Sequence, residues 1–211
     1  MTDRPGRLLR YVALGDSYTI GTATRSPAER WPDQLVARLR EAAPAGSTTI
    51  DLVANLGANG YTSRDLIEVE LPQLAALEPG LVTVLIGVND VVQGVTEPTY
   101  RENTSIILDD LLERLPANRI VVVTTPDYTV TPRGADYGNP TQQADAIRRF
   151  NGAIGELATE RSVAVVDIHP ISLEAANDRS LVADDGLHPS GAQYGRWVDR
   201  IGPVVEASLR G

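Results

Sequence analysis

Five short aliphatic runs recur along the chain and constrain its fold more than any other feature: Tyr11 to Leu14, Ile50 to Ala54, Leu81 to Ile86, Ile120 to Thr124 and Val163 to Ile168. Continuous apolar runs of this length suit strands covered on both faces. Between them lie helical spacings, such as Ile107, Leu108, Leu111, Leu112 and Leu115, or Ile147, Phe150, Ile154 and Leu157. This alternation predicts an α/β protein: a three-layer α/β/α sandwich with a central, mainly parallel five-stranded sheet and right-handed crossovers. Ligands of such sheets bind beyond the carboxyl ends of the strands.

Helix starts agree with that reading. Pro32 follows Trp31 where a first helical position tolerates proline, and Ser190 with Gln193 has the pattern of a capping box. Ser26 and Glu29 have the same pattern, but Pro32 would fall inside their helix and break it. No repeat, low-complexity tract or linker interrupts the 211 residues, so one domain over 1–211 is expected. The long connection Thr125 to Thr141, with three prolines, two glycines and two tyrosines, should hang over the ligand edge after the fourth strand.

Composition narrows the function. Nineteen basic against twenty-eight acidic residues give a net charge of -9, and no basic cluster could track a phosphate backbone, which argues against nucleic acid and anionic membranes as partners. The absence of cysteine removes disulfides, thiolate nucleophiles and zinc–cysteine sites. No stretch reaches transmembrane length, and Met1 to Arg10 lacks the apolar core and cleavage site of a signal peptide. The expectation is a cytoplasmic protein, although one whose leader had been removed would read the same.

The chemistry concentrates at strand ends. The first strand runs into Gly15-Asp16-Ser17-Tyr18-Thr19-Ile20-Gly21, which places a serine on a tight turn at the carboxyl edge. A serine nucleophile needs a base, and the chain has two histidines, His169 and His188. His188 is favoured because Asp185, three residues earlier, can reach Nδ1 across a turn and leave Nε2 free for the serine proton, with Asp184 as the rival carboxylate. Donors for a developing oxyanion are available in Asn55 to Thr62 and in Gly87-Val88-Asn89-Asp90, after the second and third strands.

These blocks, in this order from Gly15 to His188, resemble the SGNH (GDSL-type) hydrolase family. Gly15-Asp16-Ser17 with Gly21 resembles its nucleophile block, Asn55 with Gly60 its second, Gly87-x-Asn89-Asp90 its third, and Asp185-x-x-His188-Pro189 its last. The resemblance implies the flavodoxin-like fold of that family and a Ser17–His188–Asp185 triad. It also implies an oxyanion hole made by the Ser17 and Gly60 N–H groups and the Asn89 amide. The substrates it implies are small-molecule short-chain acyl or acetyl esters, with lysophospholipids and thioesters as further options. Tyr18 departs from the leucine of the family's older name. Tyr18, Tyr61, Tyr128 and Tyr137 are expected to gather at the mouth of the pocket as substrate contacts.

Three other readings stand beside this one. A metallophosphoesterase-like site would recruit Asp16, Asn89, Asp185, His169 and His188, but two histidines are few for a dinuclear centre, so neither a metal nor another cofactor is expected. The same acyl-enzyme could pass its acyl group to an alcohol or sugar. The fold could also serve as a non-catalytic binding module. Oligomeric state is not encoded in any of these motifs.

Overall fold

In the computed structural model, which describes residues 8–43 and 49–210, all five aliphatic runs are strands of one sheet. They are β1 (Leu8–Gly15), β2 (Thr49–Asn55), β3 (Leu81–Leu85), β4 (Ile120–Val123) and β5 (Ala164–Val166). Residues 1–7, which carry most of the N-terminal segment read above for a leader, lie outside the described residues. The strand order is β2-β1-β3-β4-β5, and every neighbouring pair is parallel.

That order puts helices on both faces. A right-handed connection from β1 to β2 runs one way along the sheet, and those from β2 onward run the other. Trp31–Ala42 (α2), which follows a one-turn helix Ser17–Ile20 (α1), packs on the C-terminal helix. Later connections carry Val88–Val92 (α3), Glu97–Arg114 (α4) and Pro140–Glu160 (α5), and α4 packs on α5. Gly191–Arg210 (α6) closes the α2 face. The central strand β3 is buried at every position, and Trp31 and Trp197 are fully buried beneath the helices. Each such side chain removed from water contributes about 1.5–3 kcal/mol.

Some boundaries differ from the sequence reading. β5 is confined to Ala164–Val166 rather than Val163 to Ile168, because beyond it the Ile168 N–H turns away to Thr124 Oγ1 at 2.9 Å. The Ser190 cap is half formed: Ser190 Oγ accepts from Gln193 N at 3.4 Å, while the Gln193 amide donates to Leu181 O rather than returning to the cap. Pro27–Glu29 is a single 3₁₀ turn without a side-chain cap, and α2 begins at Trp31, as Pro32 requires. Pro140 and Thr141 already belong to α5.

Candidate active site

The site forms between β1 and β3, where connections leave the sheet in opposite directions and a crevice opens at the carboxyl edge. β1 ends at Gly15, with φ +149°. A Cβ there would lie 2.1 Å from the Leu85 carbonyl oxygen, so only glycine lets the chain leave the sheet at this point. Asp16 then caps the one-turn α1, its Oδ1 accepting the Tyr18 N–H at 2.9 Å. Ser17 is thereby fixed as the first residue of the turn, 7% exposed, with its N–H outside the helical ladder.

Facing it is His188, on the loop before α6. His188 Nε2 lies 3.0 Å from Ser17 Oγ, and Nδ1 lies 2.6 Å from Asp185 Oδ2. The other carboxylate oxygen of Asp185 accepts the Leu187 and His188 N–H groups at 2.9 and 3.0 Å. Partial burial would raise the Asp185 pKa, but the His188 ring and these two backbone donors outweigh it and hold the carboxyl below its ordinary value. An ionised Asp185 accepts a hydrogen bond from Nδ1–H and leaves the Nε2 lone pair directed at the serine hydroxyl. Its rival Asp184 is exposed and lies 3.7 Å from Arg25.

Two further segments reach the same crevice. Gly60, at φ +82°, and Asn89, in α3, line one cavity with Ser17 and His188. Among the described residues, the Gly60 N–H donates to no protein atom. Asn89 Nδ2 gives one hydrogen to Tyr61 O at 2.8 Å, which fixes the amide and leaves its second N–H free. The cavity is about 260 Å³, and its walls are Val88, Val92, Leu187 and tyrosine rings, with Thr22 and Asn59 at one side.

The tyrosines divide. Tyr128 and Tyr137, from the 125–141 connection, meet edge-on at 6.0 Å and line the cavity, with Tyr128 buried and its hydroxyl pushed by burial up to about 12. The connection is tied down where Arg133 N donates to Gly186 O at 3.0 Å. Tyr61 does not line the cavity; its side chain packs against the core, and only its carbonyl serves the site, through Asn89. Tyr18 also departs from a place at the mouth. It is 3% exposed, and its ring lies 5.3 Å from that of His188, so it backs the imidazole as well as touching the cavity. His169 is away from the cavity, with Nε2 3.7 Å from the buried Asp127 carboxylate. Among the described residues, no group of three His, Asp or Glu side chains is arranged to hold a metal ion.

Buried acids beneath the site went unread in the sequence. Burial pushes Asp16 up to about 8 and Glu70 up to about 9, and it raises Asp90, whose oxygens accept from Ser63 N and Oγ. Glu70 lies in Leu66-Ile67-Glu68-Val69-Glu70, where nothing distinguishes it from a solvated helix-face glutamate.

A parallel sheet with helices on both faces defines the class, the three-layer α/β/α proteins, and here a serine, an imidazole and a carboxylate meet in one hydrogen-bonded line at its switch point. Within that class the chain belongs to the GDSL-like lipase/acylhydrolase family, whose model matches residues 13–196. It is an ester-hydrolysing enzyme. No curated protein matches the sequence. Solved structures share the fold. A variant of the acetyl xylan esterase Axe2 from Geobacillus stearothermophilus is 19% identical, with 95% of each chain covered and a TM-score of 0.72. The lipase/acylhydrolase from Enterococcus faecalis is 20% identical, with 96% of each chain covered and a TM-score of 0.71. LAE5, an alpha/beta hydrolase from the metagenome of Lake Arreo, is 18% identical over 97% of this chain and 96% of its own, with a TM-score of 0.70. No described helix is long and apolar enough to cross a membrane.

Proposed function

We propose that the protein is a serine esterase that hydrolyses short-chain acyl or acetyl esters through a Ser17 acyl-enzyme. The observation that carries this is the continuous line from Ser17 Oγ to His188 Nε2 at 3.0 Å and from Nδ1 to Asp185 at 2.6 Å. Ser17 Oγ attacks the carbonyl carbon while its proton passes to Nε2, and Asp185 stabilises the imidazolium that forms. The tetrahedral oxyanion accepts from the Ser17 and Gly60 N–H groups and from the free hydrogen of Asn89 Nδ2. Its collapse breaks the bond to the alcohol, which leaves with the proton from His188. Water then attacks the acyl-enzyme by the same route and returns the serine.

A cavity of about 260 Å³ falls just below the roughly 300–1,000 Å³ of ordinary ligand pockets, which favours a small acyl group. Aliphatic and aromatic walls favour an uncharged one. The acetyl xylan esterase that shares the fold takes, by its name, an acetyl ester.

The deciding experiment combines p-nitrophenyl esters of graded chain length with a fluorophosphonate probe. The wild type should be labelled and should turn over the shortest esters fastest, and Ser17→Ala should lose both properties while keeping its thermal transition. Activity retained in Ser17→Ala removes the nucleophile assignment. An unlabelled, inactive wild type points instead to a binding module on this fold.

A further inference from the structure

We propose that Glu70 is a positioning residue for the nucleophile turn, holding the Gly15 N–H as an uncharged carboxylic acid; this rests on the esterase reading of Ser17. Glu70 ends a π-helical stretch, Leu66–Glu70, a rare widening of the helical turn that recurs at functional sites. Its side chain is fully buried, and Oε2 accepts the Gly15 N–H at 2.9 Å across 55 residues of sequence. Gly15 admits no side chain, so backbone contacts such as this one locate it, two residues before Ser17 Oγ.

The second acid at this point is Asp16, the next residue after the amide that Glu70 holds, and it too is fully buried. One oxygen of each carboxyl, Glu70 Oε1 and Asp16 Oδ2, is buried without a hydrogen-bond partner. Such oxygens are costly as bare charged acceptors, and protonation removes the charge that burial penalises. Asp16 and Asp65 act electrostatically on Glu70, Asp90 acts on Asp16, and the phenols of Tyr18, Tyr100 and Tyr194 feel Asp16 in turn; none of these groups is a cation. With Asp16 acting on Glu70 and no positive charge among these groups, the two buried carboxyls do not both ionise. The nucleophile turn therefore rests on a protonated Glu70, and removing its proton places a negative charge beneath Gly15 and loosens the turn.

The test is the pH profile of kcat and KM for a short p-nitrophenyl ester in the wild type, Glu70→Gln and Glu70→Ala, with urea unfolding of each across the same pH range. Glutamine keeps an acceptor for Gly15 and a donor in place of the acid hydroxyl, but it has no proton to lose. Glu70→Gln should match the wild type within about twofold at neutral pH and should lose part of the wild-type decline in kcat and stability at alkaline pH. Glu70→Ala should lower kcat by about 10²-fold, the usual loss for an ångström of misplacement, with KM within about twofold. Coincident pH profiles in the wild type and Glu70→Gln would overturn the proposal, as would a Glu70→Gln variant as impaired as Glu70→Ala. If Glu70→Ala does not fold, the Glu70→Gln profiles still decide. Fluorophosphonate labelling of the wild type separates this outcome from failure of the esterase reading, and the stability profiles require no turnover.

Discussion

Gly15 and Asn89 illustrate how single residues set the chemistry. The position of Ser17 follows from a backbone conformation that Gly15 alone permits, with its Cβ direction closed by the Leu85 carbonyl at 2.1 Å. Gly15→Ala should destabilise the protein by at least about 2 kcal/mol, a typical strain for such a backbone state, measurable as a lowered urea midpoint. Asn89 works differently, since its amide is already anchored on Tyr61 O and only its free hydrogen remains for substrate. Asn89→Ala should therefore lower kcat by about 10²–10³-fold, the common loss for one oxyanion donor, with an unchanged thermal transition. An unaltered kcat removes Asn89 from the site.

Among the elements, the 125–141 connection adds most to the site. Its buried Tyr128 and half-exposed Tyr137 wall the cavity, and the Arg133–Gly186 hydrogen bond ties it to the loop that carries Asp185 and His188. Tyr137→Ala should open the cavity and shift preference toward longer acyl chains. A change of about tenfold in the ratio of kcat/KM for octanoyl against acetyl esters is expected, within the usual worth of apolar pocket contacts. An unchanged chain-length profile assigns Tyr137 to the loop alone. The alternation of aliphatic runs and helical spacing foretold the sheet and its main helices, but the end of β5 depended on a contact made in space. The Thr124 hydroxyl that takes the Ile168 N–H is remote from it in sequence.

For the whole molecule, buried acids decide the pH response. Asp16, Glu70 and Asp90 have folded pKa values above their ordinary ones, because burial penalises the charged form. Stability from groups shifted upward is complete below the ordinary carboxylate range and is lost as pH rises through the folded values, about 8 for Asp16 and about 9 for Glu70. The net charge of -9 adds self-repulsion in the same direction. Urea midpoints should thus fall steadily from weakly acidic to alkaline pH, and a flat profile would refute the assignment of neutral acids beneath the site. Trp197, fully buried between Tyr18 and Tyr194, should cost about 3–5 kcal/mol when replaced by alanine.

The sequence by itself determined the layered α/β class, since aliphatic runs of strand length alternating with helical spacing have few other ways to bury their apolar faces. It also marked Ser17, Gly60, Asn89, Asp185 and His188 as a set, because they sit in short blocks with recognisable spacing. Tertiary structure decided what no local pattern encodes. It placed Tyr18 behind His188 and moved Tyr61 into a packing role. It also brought Glu70 from the far end of a π-helical stretch to the amide of Gly15. The physical reason is that each of these roles depends on burial and on a partner distant in sequence. Burial turns an ordinary glutamate into a neutral acid, and the chain carries no trace of that until it has folded.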